Sequence, residues 1–330
     1  MEMKPQATRP KPDRDDPWTH RWAVILAGGD GRRLLPLTRK IAGDDRPKQF
    51  CTILGNETLL DQTQRRVWRM VCPRKTMVVL TRTHERFYAD NLAGIPSSSL
   101  LVQPYNRGTA AAIAYSLLKV RELDRSGVVA FFPSDHHFAD DQALRVSIDS
   151  AFEAAESGSG PVVLLGATPD GPQVEYGWIE PGARLTGYAS VFRVSRFWEK
   201  PSVALASALM ERGCLWNSFV MVGRIDSFLC LIRRALPDLV RSLESVHRTF
   251  FTGSEQQALL DVYSEVRASN FSEEVLAGCP GNLAVVSGDN LGWSDLGETD
   301  RVLSLLGRKG AQPEWAAGLP GWPEAYRAAG

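Results

Sequence analysis

Three stretches of this chain carry residue types that could do chemistry on anions. The first is Leu26-Ala27-Gly28-Gly29-Asp30-Gly31-Arg32-Arg33-Leu34, continued by Pro47-Lys48-Gln49-Phe50. Glycines admit positive φ and let a ligand approach the main chain closely. Successive N–H groups in such a turn form an anion-binding nest. Arg33 and Lys48 add fixed positive charge at the same mouth, so the stretch reads as a nucleotide triphosphate site. The second is Gln103-Pro104-Tyr105-Asn106-Arg107-Gly108-Thr109-Ala110, which closes a strand and opens a helix. A helix N-terminus with small residues can hold phosphate or approach a base. The third is Phe132-Pro133-Ser134-Asp135-His136-His137, where a carboxylate follows an apolar strand. Asp135 there is suited to Mg²⁺, which prefers hard oxygen ligands. The His-His pair raises zinc, but no third His or Cys lies nearby. Helix capping by Ser134 or Asp135 would compete for the same oxygens.

Two familiar glycine motifs do not fit the first stretch. A P-loop needs Gly-Lys-Ser/Thr, and no such triplet occurs. The dinucleotide fingerprint fits Gly29 and Gly31 but fails at Leu34, which disfavours a nicotinamide dehydrogenase. A plain strand-to-loop turn is the structural alternative.

The elements that must position these residues alternate along the first half. Trp22 to Ala27 reads as a buried strand. Strands are also expected at 76–81, 100–103, 128–132 and 162–166, and helices at 58–71, 84–92, 109–123 and 141–156. Such alternation implies a parallel, doubly wound sheet, whose ligands sit at the carboxyl ends of strands. The second half changes character. Strands at 176–179, 191–198 and 215–222 with a helix at 203–212 suggest a lobe inserted into or packed beside the sheet. A helical stretch at 225–246 is interrupted at Pro237.

Bulk properties exclude several classes. The 330 residues are 44% hydrophobic and 23% charged, as in ordinary globular proteins. With 38 basic and 38 acidic residues the net charge is zero, which argues against coating nucleic acid or a polybasic membrane role. Five dispersed cysteines without C-x-x-C spacing suggest reduced thiols in a cytoplasmic protein. No apolar run approaches membrane-spanning length, and the N-terminus lacks a signal-peptide core. Residues 1–20 are expected as a flexible tail, and 307–330 as a C-terminal tail without clear periodicity.

On these motifs the chain resembles the sugar-1-phosphate nucleotidyltransferases, nearest to the mannose-1-phosphate guanylyltransferase branch. LAGGDGRRLLPLT with RPKQF is similar to the family signature. Pro133-Ser134-Asp135-His136, Glu175-Tyr176-Gly177-Trp178-Ile179, Phe197-Trp198-Glu199-Lys200-Pro201, Trp216-Asn217-Ser218 and Gly292-Trp293-Ser294-Asp295-Leu296-Gly297 follow in family order. Gln103 and Gly108 depart from the guanylyltransferase pattern of Glu and Asn, and Phe219 stands where Gly is usual.

The resemblance implies an α/β fold with a Rossmann-like, doubly wound, mixed and mostly parallel sheet. A catalytic domain over 21–306 would include a β-rich sugar lobe at about 170–225. It implies Mg²⁺ held by Asp135 and Asp295. Nucleotide contacts would come from Leu26, Ala27, Gly28, Gly29, Gly31, Arg33, Gln103, Gly108 and Thr109. Sugar-phosphate contacts would come from Gly177, Glu199, Lys200 and Asn217, with Arg33, Lys48 and Lys200 serving catalysis. The implied reaction joins GTP and mannose-1-phosphate into GDP-mannose and pyrophosphate. UTP or dTTP with glucose-1-phosphate is the alternative pairing, and a non-catalytic nucleotide-sugar-binding regulator the alternative class. No nucleic acid or membrane partner is expected, and a homodimer is permitted. The residues after the resemblance are too few for the fused isomerase domain of some relatives.

Overall fold

The computed structural model describes residues 20–158, 160–319 and 322. Of the expected N-terminal tail, 1–19 lie outside the described residues, as do 320, 321 and 323–330 of the C-terminal tail.

One nine-stranded sheet organises the described chain. Its strands are β1 (Arg21–Leu26), β2 (Thr76–Thr81), β3 (Leu100–Gln103), β4 (Val128–Pro133), β5 (Val162–Ala167), β6 (Gly177–Arg184), β7 (Val191–Glu199), β8 (Leu215–Arg224) and β9 (Leu283–Gly288). Their order is β3-β2-β1-β4-β8-β5-β9-β7-β6. The sheet is mixed, as expected, but parallel pairing is confined to β1, β2, β3 and β4 and to β5 with β9. β8 runs antiparallel between β4 and β5, and β6 and β7 close the far edge antiparallel. Residues 170–225 contribute β6, β7 and β8 to this one sheet, with β8 at its centre and pairing with β6 as well.

The strands form because their residues suit burial on both faces. Every residue of β2, β4 and β5 is buried. Alternation splits the neighbours. Val24, Val129 and Phe131 join one core with α4 (Gly108–Leu123), α7 (Ile225–Ala235) and α8 (Pro237–Ser245). Ala23, Ile25, Ala130 and Phe132 join the other with α2 (Leu59–Val67) and α5 (Asp141–Glu156). Pro237 starts α8, so the long helical stretch is two helices, as Pro at a first turn permits.

Helix ends differ where side chains intervene. α2 starts in a Thr58–Asp61 capping box and stops at Val67, short of Val71. The expected helix at 84–92 shrinks to α3 (Glu85–Tyr88), that at 203–212 is α6 (Val203–Glu211), and α1 (Leu35–Ala42) is not among the expected helices. Asp140 caps α5 by accepting from the N–H groups of Gln142 and Ala143, which leaves Ser134 and Asp135 free of that duty.

The C-terminal segment is better packed than its composition suggests. After α10 (Thr299–Arg308), Ala316 is fully buried. It shares a core with Leu34, Leu37, Ile53, Leu59, Leu296 and Val302. That cluster lies behind the glycine loop and the Asp295 segment, bracing both. Among the described residues, no helix is long and apolar enough to cross a membrane.

Candidate active site

β1, β3 and β4 run parallel and end on the same side of the sheet, and each delivers part of a cleft. β1 is the strand from which β2 and β3 depart to one side and β4 to the other. Crevices at such switch points are where open α/β sheets bind ligands. A cavity of about 320 Å³ opens here, lined by Leu26, Gly28, Gly29, Gln103, Gly108, Thr109 and Asp135 among others. A larger cavity of about 600 Å³ lies beside Val162 and Leu283, the first residues of β5 and β9, away from these groups.

The glycine loop is held by its carbonyls. Gln49 Nε2 donates to Ala27 O at 3.0 Å and Gly29 O at 2.7 Å. The Thr81 hydroxyl donates to Gly28 O at 2.9 Å. Among the described residues, the N–H groups of Gly28, Gly29, Asp30 and Gly31 have no intramolecular acceptor. Anchored carbonyls with free amides make the loop an anion cradle. Gly31 sits at φ 60°, and a Cβ there would lie 3.1 Å from Lys48 N, so it brings the loop against Pro47-Lys48. Ala27 is core, its N–H bound to Val79 O.

Lys48 ties the two carboxylate segments together. Its buried ammonium donates to the carbonyls of Asp295 and Leu296 at 2.5 and 3.4 Å and lies 3.2 Å from Asp135 Oδ2. His137 and Ser294 form an antiparallel bridge that fixes the same two loops to each other. Asp295 is held on one side only. Its Oδ1 accepts from the Tyr176 hydroxyl (2.8 Å), Arg301 Nη1 (2.8 Å) and Gly297 N–H (3.0 Å). Oδ2 faces Arg33 Nη2 at 3.9 Å. Burial opposes ionisation of Asp295, but His136, Lys48, Arg301 and the Tyr176 bond together hold its carboxyl below the usual range. Burial also pushes the Tyr176 phenol up, so it stays a donor.

Two carboxylates suit a hard divalent cation. Among the described residues, no cluster of three or more His, Cys, Asp or Glu surrounds one point. A cation here would complete its shell with phosphate and water, which is the habit of Mg²⁺.

The segment after β3 is bound to 263–271. Tyr263 donates to Gln103 Oε1 at 3.0 Å, and Arg107 Nε donates to Tyr263 O at 2.8 Å. Ala110 N–H donates to Ser269 O, and Phe271 N–H to the Thr109 hydroxyl. Gly108 has φ 80°, and a Cβ there would lie 2.3 Å from Ser269 O. Gly108→Ala should cost about 1–3 kcal/mol of stability, from backbone strain and that close carbonyl; a melting temperature equal to wild type would contradict this.

The third group gathers on β6, β7 and β8. Gly177 pairs with Glu199, and a Cβ at 177 would lie 3.0 Å from Glu199 Oε2 and 3.3 Å from Asn217 Cβ. Asn217 is buried, its Oδ1 accepting from Phe219 N–H at 3.1 Å. Lys200 is exposed at φ 46°, its backbone N–H held by Tyr176 O at 3.2 Å. Arg33 is exposed and reaches this side through Glu175 at 3.0 Å. Of the expected site residues, Leu26, Gly28, Gly29, Gln103, Gly108, Thr109 and Asp135 line the cavity, and Lys48 joins Asp135 to the Asp295 segment. Arg33 lies between Asp295 and Glu175, Gly31 abuts Lys48, Gly177, Glu199 and Asn217 form a cluster on β6–β8 with Lys200 just after β7, and Ala27 is core.

Three residues of this cleft were not singled out in the sequence. Gln49 stood inside a quoted motif, but only the fold reveals its carbonyl clamp. Arg301 and Tyr263 carried no signal, because an arginine in a first helical turn and a tyrosine in a helix read as solvated and core residues.

A family model described as nucleotidyl transferase matches residues 22–306. The alginate biosynthesis protein AlgA of Pseudomonas syringae pv. tomato is 33% identical over 290 residues, covering 83% of this chain and 56% of that protein. A protein of Sinorhizobium fredii named mannose-1-phosphate guanylyltransferase is 32% identical over 284 residues, covering 84% and 54%. The chain thus spans little more than half the length of these relatives. A Thermus thermophilus crystal structure, described as a mannose-1-phosphate geranyltransferase, superposes with a TM-score of 0.74 at 31% identity, covering 89% of this chain and 80% of that one.

Proposed function

We propose, from the premise that the chain belongs to the nucleotidyl transferase family, that it makes GDP-mannose and pyrophosphate from GTP and mannose-1-phosphate. The observation that carries this is the junction of the Asp135 and Asp295 loops around Lys48, at the mouth of the cavity under the glycine loop. The names of relatives matched along most of this chain support the choice of substrates.

A phosphate oxygen of mannose-1-phosphate bonds to the α-phosphorus of GTP as the bond from that phosphorus to the β-phosphate oxygen breaks. The nucleophile is already an anion, so no general base is needed. The work is positioning and charge neutralisation. The loop amides and Arg33 cradle the triphosphate. Lys48 brings an ammonium to the reacting phosphates, and Lys200 pairs with the sugar phosphate. Glu199 and Asn217 take sugar hydroxyls, and Gly177 leaves the room for them. Nucleotidyl transferases generally use a divalent metal; here Asp135 and Asp295 would hold Mg²⁺, which when bound offsets the charge of the two anionic substrates.

Glu199 gives a trade-off. Burial and the Glu273 charge push its carboxyl up, with Lys200 opposing. The folded protein therefore gives up this proton less readily than the unfolded chain. Its stabilising share is present at acid pH and lost as pH rises through the folded value. At neutral pH, Glu199→Gln should raise the melting temperature while raising KM for mannose-1-phosphate; a lower melting temperature or an unchanged KM would contradict the assignment.

Gln103 favours a second reading, UTP or dTTP with glucose-1-phosphate. Pyrophosphate release from GTP, ATP, UTP, CTP and dTTP, each with either sugar phosphate and Mg²⁺, separates the two. Release with GTP and mannose-1-phosphate supports the first. No release with any pair, but binding of GDP-mannose, would replace both with a regulatory role.

A further inference from the structure

Gln103 is buried at the last position of β3 and lines the cavity. A carboxamide can offer either an acceptor or a donor, and the surroundings decide which. Tyr263 is fully buried, and its hydroxyl donates to Gln103 Oε1 at 3.0 Å. The oxygen is thus occupied on the protein side. The nitrogen points the other way: a Cβ on Gly28 would lie 2.9 Å from Gln103 Nε2, so the NH₂ group stands beside the glycine loop. Among the described residues it has no acceptor, and it is not one of the sealed, unpaired atoms of the molecule.

Tyr263 itself is rigidly placed. The helix that carries it, α9 (Glu255–Glu265), begins at Glu255, which takes the Lys119 ammonium at 2.7 Å and the Tyr115 hydroxyl at 2.5 Å. Both partners belong to α4. At the other end, Tyr263 O holds Arg107 Nε at 2.8 Å.

We propose that Tyr263 sets nucleobase choice by locking Gln103 with its N–H toward the cavity, so that the site takes keto bases and rejects amino bases. This rests on the reading of the cavity as a nucleotide site. Guanine O6, and O4 of uracil and thymine, accept hydrogen bonds where adenine N6 and cytosine N4 donate them. Against an amino base, N–H would face N–H with water excluded. Leaving such donors unpaired favours the keto base on the order of 10–100-fold. Tyr263 is a positioning residue here, since it acts through Gln103.

The test measures binding of triphosphates by calorimetry alongside pyrophosphate release. GTP and ITP should bind alike, because both carry O6. ATP and 2,6-diaminopurine riboside triphosphate should bind at least about tenfold more weakly. Tyr263→Phe removes the lock and lets the carboxamide turn, so the GTP-to-ATP ratio should fall by about tenfold. In a Gln103→Met background, where no amide remains to orient, Tyr263→Phe should leave the ratio unchanged. A Tyr263→Phe variant that weakens all nucleotides equally, ITP that binds like ATP, or no binding by any nucleotide overturns the proposal. The keto pattern in binding without pyrophosphate release supports it and instead removes the transferase reading. Equal release from GTP and ATP does the reverse.

Discussion

Asp135→Asn is expected to fold as the wild type does and to lose on the order of 10²–10³ in kcat. The side chain is about a quarter exposed (24%), and its close partners are the Lys48 ammonium and the His136 ring, at 3.2 and 3.7 Å. Asparagine keeps the size and the polar contact to Lys48 but removes the charge. The loop itself is held by the His137–Ser294 bridge, which does not depend on the carboxylate. Stability should therefore stay while turnover falls and the Mg²⁺ concentration for half-maximal rate rises. A variant turning over near the wild-type rate would remove Asp135 from the account.

Arg301→Leu should damage both fold and rate. Arg301 is mostly buried and its guanidinium touches Asp295 Oδ1 (2.8 Å), the Tyr176 hydroxyl (2.6 Å) and Gln173 Oε1 (3.0 Å). Leucine would leave Asp295 buried without its nearest cation, a loss of about 3–5 kcal/mol in stability. The carboxylate would also lose the grip that turns Oδ2 toward the cleft. Arg301→Lys should recover part of the stability but less of kcat, because an ammonium cannot bridge three acceptors with one planar fork. Melting temperature and kcat measured on both variants check this. Leucine tolerated without loss of stability would mean that the Tyr176 hydroxyl, the Gly297 N–H and Lys48 hold Asp295 without it.

The strands were legible because burial on both faces favours short apolar and β-branched runs, as at 76–81 and 128–132. Strand direction was not: the pattern of β8 is the same whether it runs with β4 or against it. Helix lengths at α2 and α3 were overestimated because apolar spacing continues past the last helical residue into packed turns; Met70 and Val71 are buried without being helical. In the cleft, Asp135 and Asp295 could be named from their motifs, but their joining depends on Lys48 and on a two-residue bridge. Gly108 was visible as a departure, while its cause, the Ser269 carbonyl, lies 161 positions along the chain. Tyr263 and Arg301 act on neighbours far away in sequence, and no local pattern points to them.

The central claim is that a sugar-phosphate oxygen attacks the α-phosphorus of GTP within this cleft. It is tested most directly with mannose-1-phosphate whose phosphate oxygens are ¹⁸O, followed by mass spectrometry of both products. The account predicts all of the label in GDP-mannose and none in pyrophosphate. Label in pyrophosphate, or no labelled GDP-mannose, would contradict it.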